Sequence, residues 1–422
     1  MPVSILKNIG FFIVFFAIFY LEQSRVLGIK FAYIWKFPLL FYMLYKIIKF
    51  IPKLEKAAFW GYLFCLKVLL TPDLVEYPFQ AVILFLKYLP LPLFFHFFMK
   101  YYDEKTFPRL REVLVLLGSF ILISVLPFLL GLINPITSGY DLEVYGMENS
   151  EGFIGIFQRP HGASICLSLA LVVSMFFLGE ARHPIRKIAM YGLLAVGTYA
   201  LYQSFVRTGW IMFAVGFFFI YIYGLKGRVL IRRIPAMLVV VAALVFFYNT
   251  SEVFKMRITD KNIRTIDRQT EFIETFGSGR IMIARETLDI FYNSDFTAKL
   301  LGLGNERFMD EMNRKIGQRI FSHNGFLNIL VTTGIIGMVL FLLFLYFLFI
   351  SVHRAKKSKY RRLGYALFFM YIAFHLTQGG NNFLLELITM LGIVLVVKDH
   401  QSKIEKPDPG KALIPQWVFE FN

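Results

Sequence analysis

Long apolar runs separated by short polar stretches dominate the sequence. About twelve of these runs approach the roughly 20 residues that an α-helix needs to cross a bilayer. A series of such runs is typical of a membrane protein that closes its backbone hydrogen bonds within spanning helices. The runs are Ile9–Leu21, Phe31–Lys49, Ala57–Leu70, Phe79–Met99, Val113–Ile133, Ala163–Leu178, Ile188–Val206, Ile211–Leu225, Ile234–Tyr248, Asn324–Val352, Leu363–Thr377 and Phe383–Val397.

The pattern predicts an all-α integral membrane protein of about twelve transmembrane helices with a helical cap on its outer face. Residues 1–249 form spans one to nine, 250–322 a large outer loop, 323–398 spans ten to twelve, and 399–422 a cytoplasmic tail. Within the loop, Ser278 is expected to cap a helix that Gly302 and Gly304 end. One face of that helix is predicted to be apolar, with Ile281, Ala284, Leu288 and Phe291.

Composition and charge place this bundle in the membrane. Hydrophobic residues make up 57% of the chain, too large a share for a soluble globular protein. The net charge of +17 comes from Lys and Arg clusters in loops, and these loops share one side if the spans alternate. That side is expected to be the cytoplasm. Because the positive charge is explained in this way, nucleic acid is not an expected partner. Both termini are then cytoplasmic, and the first run is interpreted as a span rather than a removable signal. With only Cys65 and Cys166, a disulfide framework is not expected.

One stretch, from Ser322 to Gly337, combines polar groups with the mouth of a span. Ser322 is a suitable N-cap, so a helix is expected to start at His323, and Asn324 follows it. The helix N-terminus favours an anion there. Gly334 and Gly337 suit close approach by another helix.

Two arginines share the outer side with His323 in this topology: Arg207 between two spans and Arg280 in the large loop. Guanidinium groups suit a lipid diphosphate because they stay charged and bind phosphate oxygens in bidentate fashion. Each residue also has an ordinary alternative role. An arginine at a span end commonly reaches lipid phosphate, a loop arginine is often a solvated charge, and a histidine at a helix start often caps or packs.

Further polar residues near the outer side are candidates for substrate binding. They are Arg159, His161, Asn324, Lys67 and Lys87. The two lysines could line an outward cavity, reach the membrane surface or pair internally.

Several motifs resemble the O-antigen ligase and polymerase superfamily of bacterial membrane glycosyltransferases. Ser322 to Gly337 is similar to the family's His-Asn…Gly-x-x-Gly signature, and Ser278-Gly279-Arg280 and Leu301-Gly302-Leu303-Gly304 are similar to its Ser-Gly-Arg and Gly-x-Gly elements. Ser204 to Gly209 resembles Ser-x-Ser-Arg, with Val206 in place of the second serine. Gly155 to His161 resembles Gly-x-Phe…Pro-Asn, with His161 in place of asparagine.

The resemblance implies an enzyme of the bacterial inner membrane that acts on an undecaprenyl-diphosphate-linked glycan at the periplasmic face. Arg207 and Arg280 would bind the donor diphosphate, and His323 would act on a saccharide or lipid-linked acceptor. No Asp-x-Asp occurs that would hold a metal on a nucleotide sugar, so neither metal nor cofactor is expected. A surface-polysaccharide polymerase is slightly favoured, and a ligase acting on lipid A–core is the alternative. A lipid-linked glycan flippase is the rival from another class, although no internal repeat supports it.

Overall fold

The structure is a computed structural model, and its described residues are mainly helical, with one short hairpin among them. It describes residues 3–22, 24–26, 29–48, 54–101, 107–135, 152–157, 159–180, 183–224 and 280–404, with the single residues 227, 242 and 249. The hairpin pairs Arg25–Val26 (β1) with Ile29–Lys30 (β2) in antiparallel fashion. The predicted all-α class is therefore confirmed. Ser278, Gly279, most of the run Ile234–Tyr248 and the tail beyond 404 lie outside the described residues.

The described helices follow most of the predicted apolar runs. They are α1 Val3–Leu21, α2 Phe31–Ile47, α3 Lys56–Leu69, α4 Asp73–Glu76, α5 Pro78–Tyr88, α6 Pro90–Tyr101, α7 Phe107–Ile123, α8 Leu126–Leu129, α9 Pro160–Leu178, α10 Pro184–Gln203, α11 Arg207–Tyr221, α12 Arg280–Asn293, α13 Phe296–Leu301, α14 Asn305–Ile316, α15 Gly325–Arg354, α16 Arg361–Thr377 and α17 Phe383–Ile404.

Three of the described helical stretches are long and apolar enough to cross a membrane: Arg109–Leu129, Pro160–Leu178 and Gly325–Arg354. The pair α5 and α6 is a fourth candidate if its 40° bend lies within one span. The run Phe79–Met99 is thus divided in two, because Pro90 opens a new helix. The count of about twelve spans stays a prediction.

The chain divides into two compact units, Met1–Leu39 with Arg111–Ile258 and Leu40–Leu110 with Thr259–Asn422. In the first unit, α9 packs between α10 and α11. Gly209 on α11 lies so close to Ser164 on α9 that a Cβ would come within 2.6 Å of the Ser164 Cβ. The Ser168 hydroxyl donates to the Gly209 carbonyl at 2.7 Å. Small residues therefore allow these helices a close approach.

In the second unit, α15 packs along α3, and α17 packs against α6 and α16. The α3–α6–α15 contact is tight at Gly61, where a Cβ would lie 2.7 Å from the Pro92 Cβ and 2.9 Å from the Phe344 ring. The rings of Phe64 and Phe341 meet at a centroid distance of 5.0 Å. These apolar contacts hold the helix that directly follows His323.

The helices α12 and α14 of the long loop pack on a small core of their own. The core consists of Ile283, Ile290, Phe308, Met312 and Val331, the last from α15. The buried residues of α12 are Ile283, Thr287 and Ile290. Of the four residues predicted to share an apolar face, Phe291 packs against this core while Ile281 is exposed. The sequence of α12 has apolar residues around most of its circumference, so periodicity alone did not select the buried face.

Helix α15 is broken at Gly334, whose backbone is non-helical (φ 72°, ψ −175°). The break leaves carbonyl groups without their partners inside the helix, and the turn between α13 and α14 satisfies them. Leu303 N–H donates to the Val331 carbonyl at 2.9 Å, and Gly304 N–H donates to the Thr332 carbonyl at 3.0 Å. Gly334 was expected to meet another helix, and it meets the last turn of α13 at Leu300 and the start of the turn that follows at Gly302.

Glycine is required on both sides of this contact. Gly302 has a φ of +87°, and a Cβ there would overlap the Thr332 carbonyl. A Cβ on Gly334 would overlap the Leu300 carbonyl. Two backbones therefore touch without side chains between them.

Replacing Gly302 with alanine is expected to destabilise the protein strongly. Left-handed strain costs roughly 1–3 kcal/mol, and overpacking against the α15 backbone adds about 1–3 kcal/mol. Gly317→Ala is the matched control, because Gly317 has a φ of +71° but a Cβ there would meet no atom within 4 Å. Thermal unfolding in detergent should show a larger loss of Tm for Gly302→Ala, and equal losses would show that the contact at the break adds nothing.

Candidate functional site

The His323 segment begins α15 two residues later than predicted. Ser322 was expected to cap the helix, but the N-cap is Asn324, whose side-chain oxygen accepts the Leu327 N–H at 3.1 Å. The helix begins at Gly325. His323 therefore lies in the turn before the helix rather than in its first turn.

A compact hydrogen-bond network holds this turn. The Asn328 side-chain oxygen accepts the Ser322 N–H at 3.0 Å and lies 2.9 Å from the Ser322 hydroxyl oxygen. That hydroxyl also lies 2.7 Å from the Asn324 carbonyl. His323 has a left-handed backbone with a φ of +52°, which is uncommon outside glycine. Several hydrogen bonds hold this short turn, and together they maintain the unusual backbone conformation of His323.

Arg280 and Asn324 both bind the C-terminal end of α16. Arg280 donates from Nη1 to the Thr377 carbonyl at 2.6 Å. Asn324 Nδ2 lies 3.4 Å from the Leu376 carbonyl. A cationic group is favourable there, because the last carbonyls of a helix carry partial negative charge. The starts of α12 and α15 thus both lie at the C-terminal end of α16.

Arg280 lies near enough to His323 to influence its ionisation. Burial is the main reason why the pKa of His323 is lower than the ordinary 6.5, and the positive charge of Arg280 lowers it further. The imidazole is therefore largely neutral at pH 7 and can accept a proton. The same positive charge favours an anion beside it.

The first turn of α15 packs against the loop after α16 and against His375. A Cβ on Gly325 would overlap His375 Nδ1, and a Cβ on Gly379 would lie 2.7 Å from Gly325 N. The His375 ring meets those of Phe326 and Phe341 at centroid distances of 5.9 and 5.4 Å. Gly325 is thus the residue that allows the His-Asn turn to sit on α16.

The two candidate lysines occupy different environments in the second unit. Lys67 is buried, and its ammonium group donates to the Leu301 carbonyl at 2.6 Å. Lys87 is exposed near the end of α5, and its carbonyl accepts from Asn381 Nδ2 at 3.0 Å. Neither arrangement tests the predicted contact with substrate, so both roles remain predictions.

The remaining candidates lie in the first unit. Arg207 begins α11 and follows Phe205, which has a left-handed φ of +52°. Arg159 is exposed at the N-cap of α9, and His161 is half-buried in the first turn of that helix. The structure therefore places Arg207, Arg159 and His161 at the starts of two helices that pack together, α9 and α11.

The described residues contain no group of three or more His, Cys, Asp or Glu side chains placed to hold a metal ion. Arg280 contributes the electrostatic effect on His323, after burial. The second unit therefore carries a cation and a largely neutral imidazole near the end of α16.

A comparison with protein families finds one similar family. Residues 191–342, about a third of the chain, match the family model described as O-antigen ligase. The resemblance to the O-antigen ligase and polymerase superfamily is thereby confirmed. No curated protein matches the chain.

The family segment contains four of the predicted site residues, Arg207, Arg280, His323 and Asn324. It also contains Gly302 and Gly334, which meet at the break in α15. Arg159, His161, Lys67 and Lys87 lie before it. The sequence motifs therefore identified the segment, while the joint binding of Arg280 and Asn324 to α16 required the structure.

The imidazole of His323 is expected to titrate below pH 6.5. Replacing Arg280 with glutamine removes the positive charge, so the pKa of His323 should rise, although burial will keep it below the ordinary value. Arg280→Lys retains the charge and should leave the pKa low. NMR of histidine-labelled protein in detergent measures this, with the signal assigned through His323→Gln; the same pKa in all three proteins would contradict the electrostatic coupling.

Proposed function

We propose that the protein transfers a glycan from an undecaprenyl-diphosphate carrier to an acceptor hydroxyl at the periplasmic face of the bacterial inner membrane, without a metal ion. The family match supports action on a lipid-linked glycan in general terms. In the proposed topology, about twelve spans place both termini in the cytoplasm, and helices α12–α14 form a periplasmic cap. The loop-charge pattern supports this orientation.

The observation that carries the proposal is the placement of Arg280 beside a neutral His323. Both are held against the end of α16, Arg280 by Thr377 and the His323 turn through Asn324. A fixed guanidinium stabilises the negative charge that develops on a departing diphosphate. A neutral imidazole accepts the proton of an attacking hydroxyl.

The proposed reaction is a single displacement with balanced bonds. The acceptor oxygen attacks the anomeric carbon, and the new glycosidic bond forms as the bond between that carbon and the diphosphate oxygen breaks. His323 takes the hydroxyl proton, and the electron pair leaves with the carrier diphosphate next to Arg280. General-base assistance of this kind typically contributes roughly 10²–10⁴-fold to the rate.

Arg207 enters the proposal as a second guanidinium for the diphosphate, through the family resemblance and its position at the start of α11. Arg159, His161, Asn324, Lys67 and Lys87 are proposed as lower-ranked substrate contacts. Asn324 has the most structural support among them, because it adjoins His323 in the same turn.

The acceptor distinguishes two versions of this function. A polymerase joins repeat units on the carrier, and this version is slightly favoured. A ligase moves the finished glycan onto lipid A–core, and the family match fits either version.

Purified protein in detergent is expected to transfer glycan from a synthetic polyprenyl-diphosphate sugar even with chelator present. His323→Ala should lower kcat by roughly 10²–10⁴-fold, as expected for loss of a general base. Arg280→Ala should also remove most activity, because a buried diphosphate charge then lacks its partner. Chromatography of the released carrier and the glycan product measures both.

Matched controls separate these effects from general damage. Arg285→Ala changes an exposed arginine on the same helix as Arg280, and His183→Ala changes an exposed histidine of the first unit. Both should retain wild-type turnover. Movement of the carrier across liposome membranes without glycan transfer would instead support the flippase alternative, and activity unchanged in His323→Ala and Arg280→Ala would refute the proposed site.

Deletion of the encoding gene in its host should distinguish polymerase from ligase. Loss of a polymerase leaves core capped with a single repeat unit, whereas loss of a ligase leaves bare core and long chains on the carrier. Mass spectrometry of the surface glycan and of the carrier pool measures both products. We expect the single-unit pattern, and accumulated long carrier-linked chains would contradict it.

A further inference from the structure

Two oppositely charged side chains are buried at the end of α3 and the start of α4. Lys67 is 9% exposed and Asp73 is 1% exposed. Burying a charged group is costly unless strong hydrogen bonds compensate for the lost water. Each of these residues therefore needs an explanation in terms of its contacts.

Lys67 binds the end of a helix from the long loop. Its ammonium group donates to the carbonyl of Leu301, the last residue of α13, at 2.6 Å. The terminal carbonyls of a helix carry partial negative charge and lack partners within the helix. The lysine thus supplies a cation where the backbone of α13 ends.

Asp73 binds the beginning of the next helix. Its Oδ2 accepts the N–H groups of Asn305 and Glu306, the first two residues of α14. The N-cap of α14 is Gly304, which has no side chain to accept these groups, and a Cβ on Gly304 would overlap the Asp73 carboxylate. The cap is therefore supplied from α4, with the negative charge that a helix N-terminus favours.

The residues between these two contacts form the turn that fills the break in α15. Gly302, Leu303 and Gly304 follow the carbonyl that Lys67 binds and precede the N–H groups that Asp73 binds. Leu303 and Gly304 donate to the Val331 and Thr332 carbonyls. A cation on one side and an anion on the other thus hold the turn against α15.

We propose that Lys67 and Asp73 are positioning residues. Together they form a charge clamp that holds the Gly302–Gly304 turn in the break of α15, and the held turn sets the position of His323 relative to Arg280. The structural part concerns the turn, and the catalytic part rests on the proposed function. The broken helix has two segments, and the turn defines the angle at which the segment next to His323 meets the rest. Arg280 is held by the Thr377 carbonyl and the His323 turn by the Leu376 carbonyl, so loosening the clamp changes how the start of α15 meets Arg280.

Hydrogen exchange followed by mass spectrometry tests the clamp in the full-length protein in detergent. Asp73→Asn and Lys67→Met should speed amide exchange in the segment 302–306, because its hydrogen bonds open more often. In the transfer assay the same variants should lower kcat by about 10–100-fold, since small misplacement of a reacting group has effects of this size. KM for the donor should change little in Asp73→Asn, which alters no proposed substrate contact, and Lys67→Arg should restore much of kcat by keeping the cation.

Glu76→Gln is the matched control. Glu76 lies on α4 with Asp73 and also contacts α14, through an exposed ion pair with Arg307. Exposed pairs contribute little to stability, so exchange and kcat should match the wild type. Asp73→Asn keeps the shape of the side chain, so it tests the clamp even where Lys67→Met fails to fold.

The outcomes separate the clamp from the proposed function. Unchanged exchange at 302–306 in Asp73→Asn would overturn the clamp, whatever the activity. Faster exchange with wild-type kcat, in a protein that His323→Ala inactivates, would show that the turn is held but does not position the site. If His323→Ala and Arg280→Ala remain active, the proposed function fails, and the exchange result still decides the structural part.

Discussion

The break in α15 is the constraint on which the rest of the second unit depends. A helix that crosses a bilayer must satisfy its backbone groups, because each one left without a partner in a low-dielectric surrounding costs several kcal/mol. At Gly334 the regular bonding pattern stops, and main-chain N–H groups from Leu303 and Gly304 replace the missing donors. The loop helices are therefore attached to α15, which is long and apolar enough to cross a membrane, through its own backbone.

This attachment explains the order of the glycine motifs. The Gly-x-Gly turn and the glycine of the long helix are complementary halves of one contact, since both Gly302 and Gly334 leave space for the opposing main chain. The charged residues that support the turn, Lys67 and Asp73, come from an earlier part of the chain. Charge at helix ends, rather than apolar burial alone, fixes where the loop lies.

The electrostatics of His323 and Arg280 are consistent with a shared task. Burial lowers the pKa of His323, and the positive charge of Arg280 lowers it further, so the imidazole stays deprotonated. The same charge attracts an anion, so Arg280 influences both the proton acceptor and the diphosphate of the proposed reaction. Both are anchored at the end of α16, whose carbonyls accept from Arg280 and Asn324.

Apolar periodicity predicted most of the described helices, and motif order predicted the family segment. The errors have physical causes. Serine is a favourable N-cap residue, but the Ser322 hydroxyl hydrogen-bonds to the Asn324 carbonyl within the turn, and the side chain of Asn324 caps the helix. The contact of Lys67 with Leu301 joins residues far apart in sequence, so no local pattern indicates it. Pro90 is a signal that sequence reasoning could have used, because proline favours a new helix start over the interior of a long span.

The hydrogen bonds at the break join two stretches that are distant in sequence, so the chain between them forms a closed ring. The residues from Gly304 to Val331, with His323 among them, lie between two stretches of backbone that are bonded to each other. Val331 itself belongs to the core of α12 and α14. Local fraying at His323 is therefore coupled to opening of the whole ring and its small core, so this polar turn should unfold as part of one cooperative subglobal unit rather than as a loose loop.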